Sequence, residues 1–427
     1  MKKIWLLLVL ISLSGYSQTN WEVMPDAPTI GSNQRYDDIF FLNENLGWAA
    51  RGWQGKVYKT IDGGDTWELQ FELASSYFRN IEFLDENIGF LGMIRNASYS
   101  GGFYRTTDGG DTWVEQTLPT TETTICGIEA IQGTNTVYGC GAYHSPAYII
   151  KSTDAGATWS AIDMSSYANA LVEMLFVDEN VGFVSGKSDT GGVILKTTDG
   201  GTSWTEIYNS GVNSEYVWKL QLLENNQYLY GAVDSPVESK LIKSFDFGQT
   251  WESKSILIEG NEVISIQSVG FITPTHGWMG GHYHGFLETT DGGDTWTDLN
   301  FGGSLNRTFV INDKLAFTSG SNLYRYKDET LSVFDGEYVA EENVHVKVYP
   351  SPFKDELKVS LSFAHVDNLM LSLLKENGQV VGVLVSEVIK TAGQKEYTFN
   401  LANYPSGIYL MDFHTNNGRR IFKIIKE

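Results

Sequence analysis

Four groups of residues in this 427-residue chain have the types and spacing for chemistry. His282-Tyr283-His284, with His276 nearby, puts two imidazoles two positions apart, on one face if the segment is a strand, as a metal pair requires. No carboxylate or thiol in the same stretch completes a ligand set, so neither a metal nor a cofactor is expected. Cys126 and Cys140 flank a turn near Gly133, and positions whose numbers sum to 266 oppose each other across that hairpin. A cross-strand disulfide or two buried thiols are the readings, separated by one slip of register. Repeated Asp-Gly-Gly-Asp segments invite a calcium loop but lack its alternating oxygen ligands and closing Glu. Finally, 52 acidic side chains face 30 basic ones, so a carboxylate pair for glycoside hydrolysis can be picked almost anywhere and selects nothing by itself. The net charge of −22 repels nucleic acid and anionic membranes, and neither is expected as a partner.

A repeat must position any such site. Six octapeptides end in tryptophan: TIDGGDTW (60–67), TTDGGDTW (106–113), STDAGATW (152–159), TTDGGTSW (197–204), SFDFGQTW (244–251) and TTDGGDTW (289–296). Their aspartates, Asp62, Asp108, Asp154, Asp199, Asp246 and Asp291, stand 46, 46, 45, 47 and 45 residues apart. That period, with strand-like sequence between the copies, predicts a β-propeller or a related array. The glycine two after each aspartate suits positive φ, and the carboxylate suits backbone N–H groups inside the turn. Trp67, Trp113, Trp159, Trp204, Trp251 and Trp296 open the next strand with a large surface to bury between sheets. A second echo precedes the boxes, as in FLNENLGW (41–48), FLDENIGF (83–90) and FVDENVGF (176–183). In the first repeat, strands A, B and C are expected at 38–42, 47–51 and 56–60, with strand D starting at Trp67.

Each octapeptide resembles the Asp-box, the S/T-x-D-x-G-x-T-W turn of sialidases, sortilin-type receptors and related propellers. The succession GW…G…KT-DGG-TW most resembles the single seven-bladed propellers of photosystem II assembly and stability factors. That resemblance implies the fold and a protein-binding habit, and carries no chemistry. Sialidases also use an arginine triad and a Tyr–Glu nucleophile pair. Their Arg-Ile-Pro signature is absent here, although Arg35, Arg51, Arg79, Arg95, Arg105, Arg307 and Arg325 leave enough arginines for a triad. Xyloglucanase-type glycosidases of similar repeats use two propellers with the cleft between them, and this chain has one.

The fold class expected is all-β: a seven-bladed propeller over 18–328, followed by a small Ig-like β-sandwich. Residues 306–328 read as strands A, B and C with no box behind them, while Trp21-Glu22-Val23-Met24 imitates Trp67-Glu68-Leu69-Gln70. The N-terminal segment therefore closes the ring as strand D of the seventh blade, leaving no unpaired blade to fray. Residues 1–17, with Lys2, Lys3 and an apolar run over 4–13, read as a secretory signal peptide. No other stretch is long and apolar enough to cross a bilayer. Residues 329–343 read as an acidic linker. Beyond it, strands are expected at 344–353, 356–363, 369–381, 395–401, 407–415 and 419–427. At Tyr349-Pro350-Ser351-Pro352-Phe353, Glu376-Asn377-Gly378, 401–409 and Lys423-Ile424-Ile425-Lys426, residues 344–427 resemble the C-terminal sorting domain of type IX secretion cargo. The resemblance implies the type IX machinery as a partner through 344–427. It also implies export across the outer membrane of a Bacteroidetes-type bacterium, to the cell surface or into the medium.

A–B turns and boxes repeat closely and fall on one face of the disc. The D–A and B–C connections on the other face vary, and variable loops on a rigid scaffold are where binding concentrates. At the channel mouth the residues entering strand A differ from blade to blade: Asp38, Arg79, Asn80, Glu173, Trp218, Lys219 and Arg307 are the expected binding residues. No catalytic residue is assigned. An unknown protein or glycan is the expected ligand, with a carbohydrate-active hydrolase using channel-mouth carboxylates as the alternative.

Overall fold

The structure is a computed structural model describing residues 20–32, 34–95, 101–120, 123–144, 146–223 and 228–328, and then 333–334, 337–339, 344–363, 367–375, 380–389, 393–415 and 418–427. The signal-peptide reading of 1–17 lies outside these residues. Every described regular element is a strand, and the chain forms two compact units, Met1–Asp328 and Glu329–Glu427.

The first unit is seven four-stranded antiparallel sheets. In the first blade, strands A to D are Tyr36–Phe41, Gly47–Arg51, Lys56–Thr60 and Glu68–Glu72. The later inner strands are Phe78–Phe83, Gly127–Ala130, Ala170–Phe176, Tyr216–Leu223, Ile266–Phe271 and Arg307–Asn312. The seventh sheet takes its fourth strand from the N-terminus: Trp21–Val23 pairs with Leu323–Lys327, Trp21 opposite Tyr326. Trp21 is buried, stacked on Phe286 at 4.2 Å and edge-on to Trp278 at 5.2 Å.

Blades are joined by an aromatic of strand B lying flat on the aromatic of the neighbouring strand A. Trp48 stacks on Phe83 at 3.5 Å, Tyr138 on Phe176 at 3.9 Å, Tyr230 on Phe271 at 4.2 Å and, across the closure, Phe317 on Phe41 at 3.5 Å. Each such pair adds about 0.5–1.5 kcal/mol beyond its buried area. The echo ends in glycine for a steric reason: a Cβ on Gly47 would lie 2.6 Å from the Phe41 ring.

The boxes form one hydrogen-bond set six times over. In the first, Asp62 Oδ1 accepts from Thr66 N at 2.9 Å and from Thr60 Oγ1 at 2.8 Å. Its Oδ2 accepts from Thr66 Oγ1 at 2.6 Å, and Thr60 Oγ1 accepts from Gly64 N at 2.8 Å. These donors hold Asp62, Asp154, Asp199, Asp246 and Asp291 down to about 2, the Thr or Ser hydroxyl at position +4 contributing most. Both residues after each aspartate take positive φ, including Ala155 (56°) and Phe247 (60°) where other boxes have glycine. Each box also grips its own A–B turn, as Gly63 N→Asn45 O at 2.9 Å and Gly200 N→Asn180 O at 2.9 Å. That contact puts boxes and A–B turns on one face.

A second, unanticipated device links neighbouring boxes. The residue just before the box Thr or Ser reaches the backbone of the following blade's box. Arg105 Nε donates to Ala155 O at 2.8 Å, Lys151 Nζ to Gly200 O at 2.8 Å, Lys196 Nζ to Phe247 O at 3.0 Å and Lys243 Nζ to Gly292 O at 2.7 Å. Arg325 closes the circle, donating to Gly63 O at 2.9 Å and Asp65 Oδ1 at 2.7 Å while its Nε donates to Glu22 of the N-terminal strand at 2.8 Å. Before the box-less seventh blade the base is replaced by Glu288, which accepts from Trp278 Nε1 at 3.0 Å and lies 3.0 Å from His276 Nε2.

The second unit is a sandwich of a five-stranded and a four-stranded sheet around a core that includes Val346, Leu357, Leu371, Met411, Phe413 and Phe422. Two expectations change here. The single strand read at 369–381 is two, Asp367–Lys375 and Val380–Ile389, paired antiparallel. The linker stretch contributes Val333–Phe334 and Glu337–Val339 as outer strands of the two sheets, because free N–H and C=O groups there find partners in Gly418–Lys426 and Val344–Tyr349. The Glu376-Asn377-Gly378 motif lies outside the described residues.

Candidate functional site

The channel mouth is built by a defect repeated around the ring. Strand A is interrupted at one position in five blades, where the register skips Asp37, Arg79, Val172, Trp218 and Gln267. In the other two, Cys126 N and Asn306 N donate to Cys140 O and Ser319 O, the residues facing Gly127 and Arg307. A β-bulge leaves its extra residue unpaired and re-aims the side chain. Seven different residues are thereby delivered to the same place around the axis.

At the variable-face end, Arg35 donates to Asp37 Oδ1 at 2.9 Å and to Gln267 Oε1 at 2.8 Å. Arg79 lies 3.8 Å from the same carboxylate, with its guanidinium 5.5 Å from the Trp218 ring centroid. Trp218 Nε1 donates to Asn306 Oδ1 at 3.4 Å, and Asn306 Nδ2 donates to the Asp37 carbonyl. The buried Nη1 and Nη2 of Arg79 make no hydrogen bond. Half-buried Trp218 stands 5.8 Å from Tyr216, and exposed Trp53 pairs edge-on with Tyr77 at 6.1 Å. His282 is pushed down to about 4 by burial and by Arg35 and Arg79, so it is neutral.

Deeper in the channel, Arg307 is a hub. Its guanidinium lies 3.5 Å from Asp38 and 3.5 Å from Glu82, and Lys219 is ion-paired with Glu173. Asp38 Oδ2 also accepts Ile81 N at 2.9 Å, tying blades one and two. Burial raises Asp38, moves Glu82 well above the carboxylate range and pushes Glu129 up to about 8, against the pull of Arg307. Burial likewise lowers Lys219 despite Glu173.

The expected site residues thus fall into two layers. Trp218 and Arg79 belong to the mouth, whereas Asp38, Glu173, Lys219 and Arg307 form an inner ring, and Asn80 Nδ2 donates to Ile125 O at 3.3 Å. Asp38, Arg79, Asn80, Glu173 and Lys219 are all buried, so they are a charged lining and not an exposed rim. Glu82 and Glu129 were missed. Strand alternation offered the clue, since both stand two residues beyond Asn80 and Gly127 and so return to the same face. The disulfide reading is corrected: Gly127, not Cys126, pairs with Cys140, because the bulge at Cys126 displaces the register by one. Both cysteines are free and buried, and burial raises Cys126 to about 11.

Residues 347–427 match the family model of the secretion system C-terminal sorting domain, and residues 224–309 that of the photosynthesis system II assembly factor YCF48. No curated protein matches the chain. Among solved structures, YCF48 bound to D1 peptide is 21% identical with a TM-score of 0.56, covering 73% of this chain and 98% of that one. YCF48 from Cyanidioschyzon merolae is 18% identical at 0.55, covering 72% and 98%. The GH74 xyloglucanase from Xanthomonas campestris is 10% identical at 0.53, covering 80% of this chain and 59% of its own. These likenesses establish the propeller. The sorting domain establishes export through type IX secretion, to the cell surface or beyond it.

Proposed function

We propose that this chain is an exported, non-catalytic propeller that binds a polypeptide partner on the variable face of the disc. One observation carries the reading: Arg79 is buried at the mouth with both terminal nitrogens unbonded, braced against half-buried Trp218. Arginine and tryptophan held rigid by their neighbours are the common anchors of protein interfaces. That a propeller of this fold has been solved with a peptide supports a polypeptide as the ligand. The sorting domain brings the propeller to where such a partner is met.

The test is capture on living cells by cross-linking from the full mature chain, followed by titration of the captured protein. Capture that persists unchanged in Trp218→Ala and Arg79→Ala would refute this site. The export half is read separately: a chain truncated after Glu342 should accumulate as folded propeller in the periplasm, and normal surface display would refute it.

A second reading has one specific observation behind it. A carboxyl raised to about 8, as Glu129 is, has the poise of a general acid in a glycosidase. Against it, Glu129 accepts the Phe176 N–H of the next blade, and Glu82 is held by Arg307, so neither carboxyl is free to turn toward a substrate. Polysaccharide hydrolysis abolished by Glu129→Gln in a folded variant would establish the enzyme.

A further inference from the structure

Below the charged ring, on the side opposite the proposed protein site, the channel holds a cavity of about 350 Å³, within the size range of ligand pockets, about 300–1,000 Å³. Its walls are apolar, from Leu175, Leu223, Val269, Phe309 and Ile311, and its inner end is Glu173, Lys219 and Arg307. Its lining also includes the exposed Asn312 and Asp313 in the A–B turn of the seventh blade, which places its entrance on the box face.

The charges at the inner end do not balance. Four carboxylates, Asp38, Glu82, Glu129 and Glu173, surround two bases, Arg307 and Lys219. Lys219 is engaged with Glu173, and Arg307 is shared between Asp38 and Glu82, each at 3.5 Å. Among the described residues Glu129 joins no ion pair. Glu82 is 6% exposed, and its buried Oε2 accepts no hydrogen bond. A buried carboxylate without full compensation is costly, and a cation from outside relieves that cost. The entrance carries Asp313, and the whole chain is at −22, so the field draws cations to this opening.

We propose that the channel cavity takes an ammonium group on an aliphatic stem: the methylenes lie along the apolar wall and the ammonium supplies the positive charge missing from the Asp38–Glu82–Glu129–Glu173 ring. A free alkylamine and a lysine side chain of another protein share this chemistry.

Three six-carbon probes, hexylamine, hexanol and hexanoate, test this on the full mature chain by thermal shift and calorimetric titration. A fourth arm is a short peptide with blocked ends and a single lysine. Saturable stabilisation by hexylamine, well above that by hexanol and absent with hexanoate, is expected. Peptide binding as well would point to a protein lysine, and amine binding alone to a small ligand. Equal stabilisation by hexanol and hexylamine would reduce the cavity to an apolar void, and no binding of either amine would overturn the proposal. Leu175→Trp, which fills the cavity, and Glu82→Gln should each weaken hexylamine by about tenfold or more. Amine affinity unchanged in a folded Glu82→Gln protein would remove the acidic ring from the account. Because Trp218 and Arg79 line the other end, their substitution should leave hexylamine binding intact, which separates this test from that of the protein site.

Discussion

At the box rim, Thr60, Thr106, Ser152, Thr197, Ser244 and Thr289 each bond the aspartate two residues on and the glycine N–H four residues on. At the channel mouth, the equivalent bulge position holds Asp37, Arg79, Cys126, Val172, Trp218, Gln267 and Asn306, no two alike in chemistry apart from the amides. Both sites recur once per blade on the same scaffold. The rim solves a local problem, the closure of a turn, which has the same solution each time. The mouth is a place where seven side chains converge on one axis, so each has different neighbours and the repeat imposes no common answer. Repetition therefore marks what folds the ring, and its loss marks where the ring meets something else.

Three experiments press on that contrast. The largest effect should come from the closure that the rim device shares with the N-terminal strand. Trp21→Ala removes the stacked contact with Phe286 and should lower stability by about 3–5 kcal/mol in urea unfolding, as large aromatic truncations do. A loss below ~1 kcal/mol would mean that the seventh blade closes without its borrowed strand.

Next, rim and channel should respond oppositely to pH. The box aspartates titrate near 2 when folded and near 3.9 when unfolded, so their contribution is present above about pH 4 and lost as pH falls toward 2. Glu129 titrates near 8 when folded and near 4.3 when unfolded, so it costs stability progressively as pH rises from about 4 to 8. Melting temperature against pH should therefore fall on both sides of mildly acid conditions. Glu129→Gln should flatten the alkaline limb and Asp62→Asn the acid one. An alkaline limb identical in Glu129→Gln would show that the channel carboxyl is not strained.

The smallest effect concerns binding. Once a partner is captured, Trp218→Ala and Arg79→Ala should each weaken it by more than ~1 kcal/mol, while Asp111→Ala on the box face leaves it unchanged. Asp65 is unsuitable as the matching control, because it is bonded to Arg325 at the ring closure. Weakening by Asp111→Ala with Trp218→Ala silent would reverse the two faces.

The chain alone determined the blade, because everything in a blade is local. The box turn closes within eight residues, strand pairs span one short turn, and Asp62, Gly64 and Trp67 carry their reasons within their own segment. The split seventh blade was readable for the same cause: Trp21-Glu22-Val23-Met24 copies a segment whose role the other repeats define. Position in space was decided elsewhere. The bulge at Asp37, Arg79 and Trp218 has no residue signature, and it moved Cys126 out of register with Cys140. Arg307 gathers Asp38, Glu82, Glu129 and Glu173 from four blades only because the ring closes, so the charges that set one another's protonation lie more than a hundred residues apart in the chain. The Lys and Arg latches stood in plain view before each box, but their partners are carbonyls, which every residue has and no sequence pattern marks. Side-chain chemistry between distant segments depends on distance, and distance is a property of the closed ring.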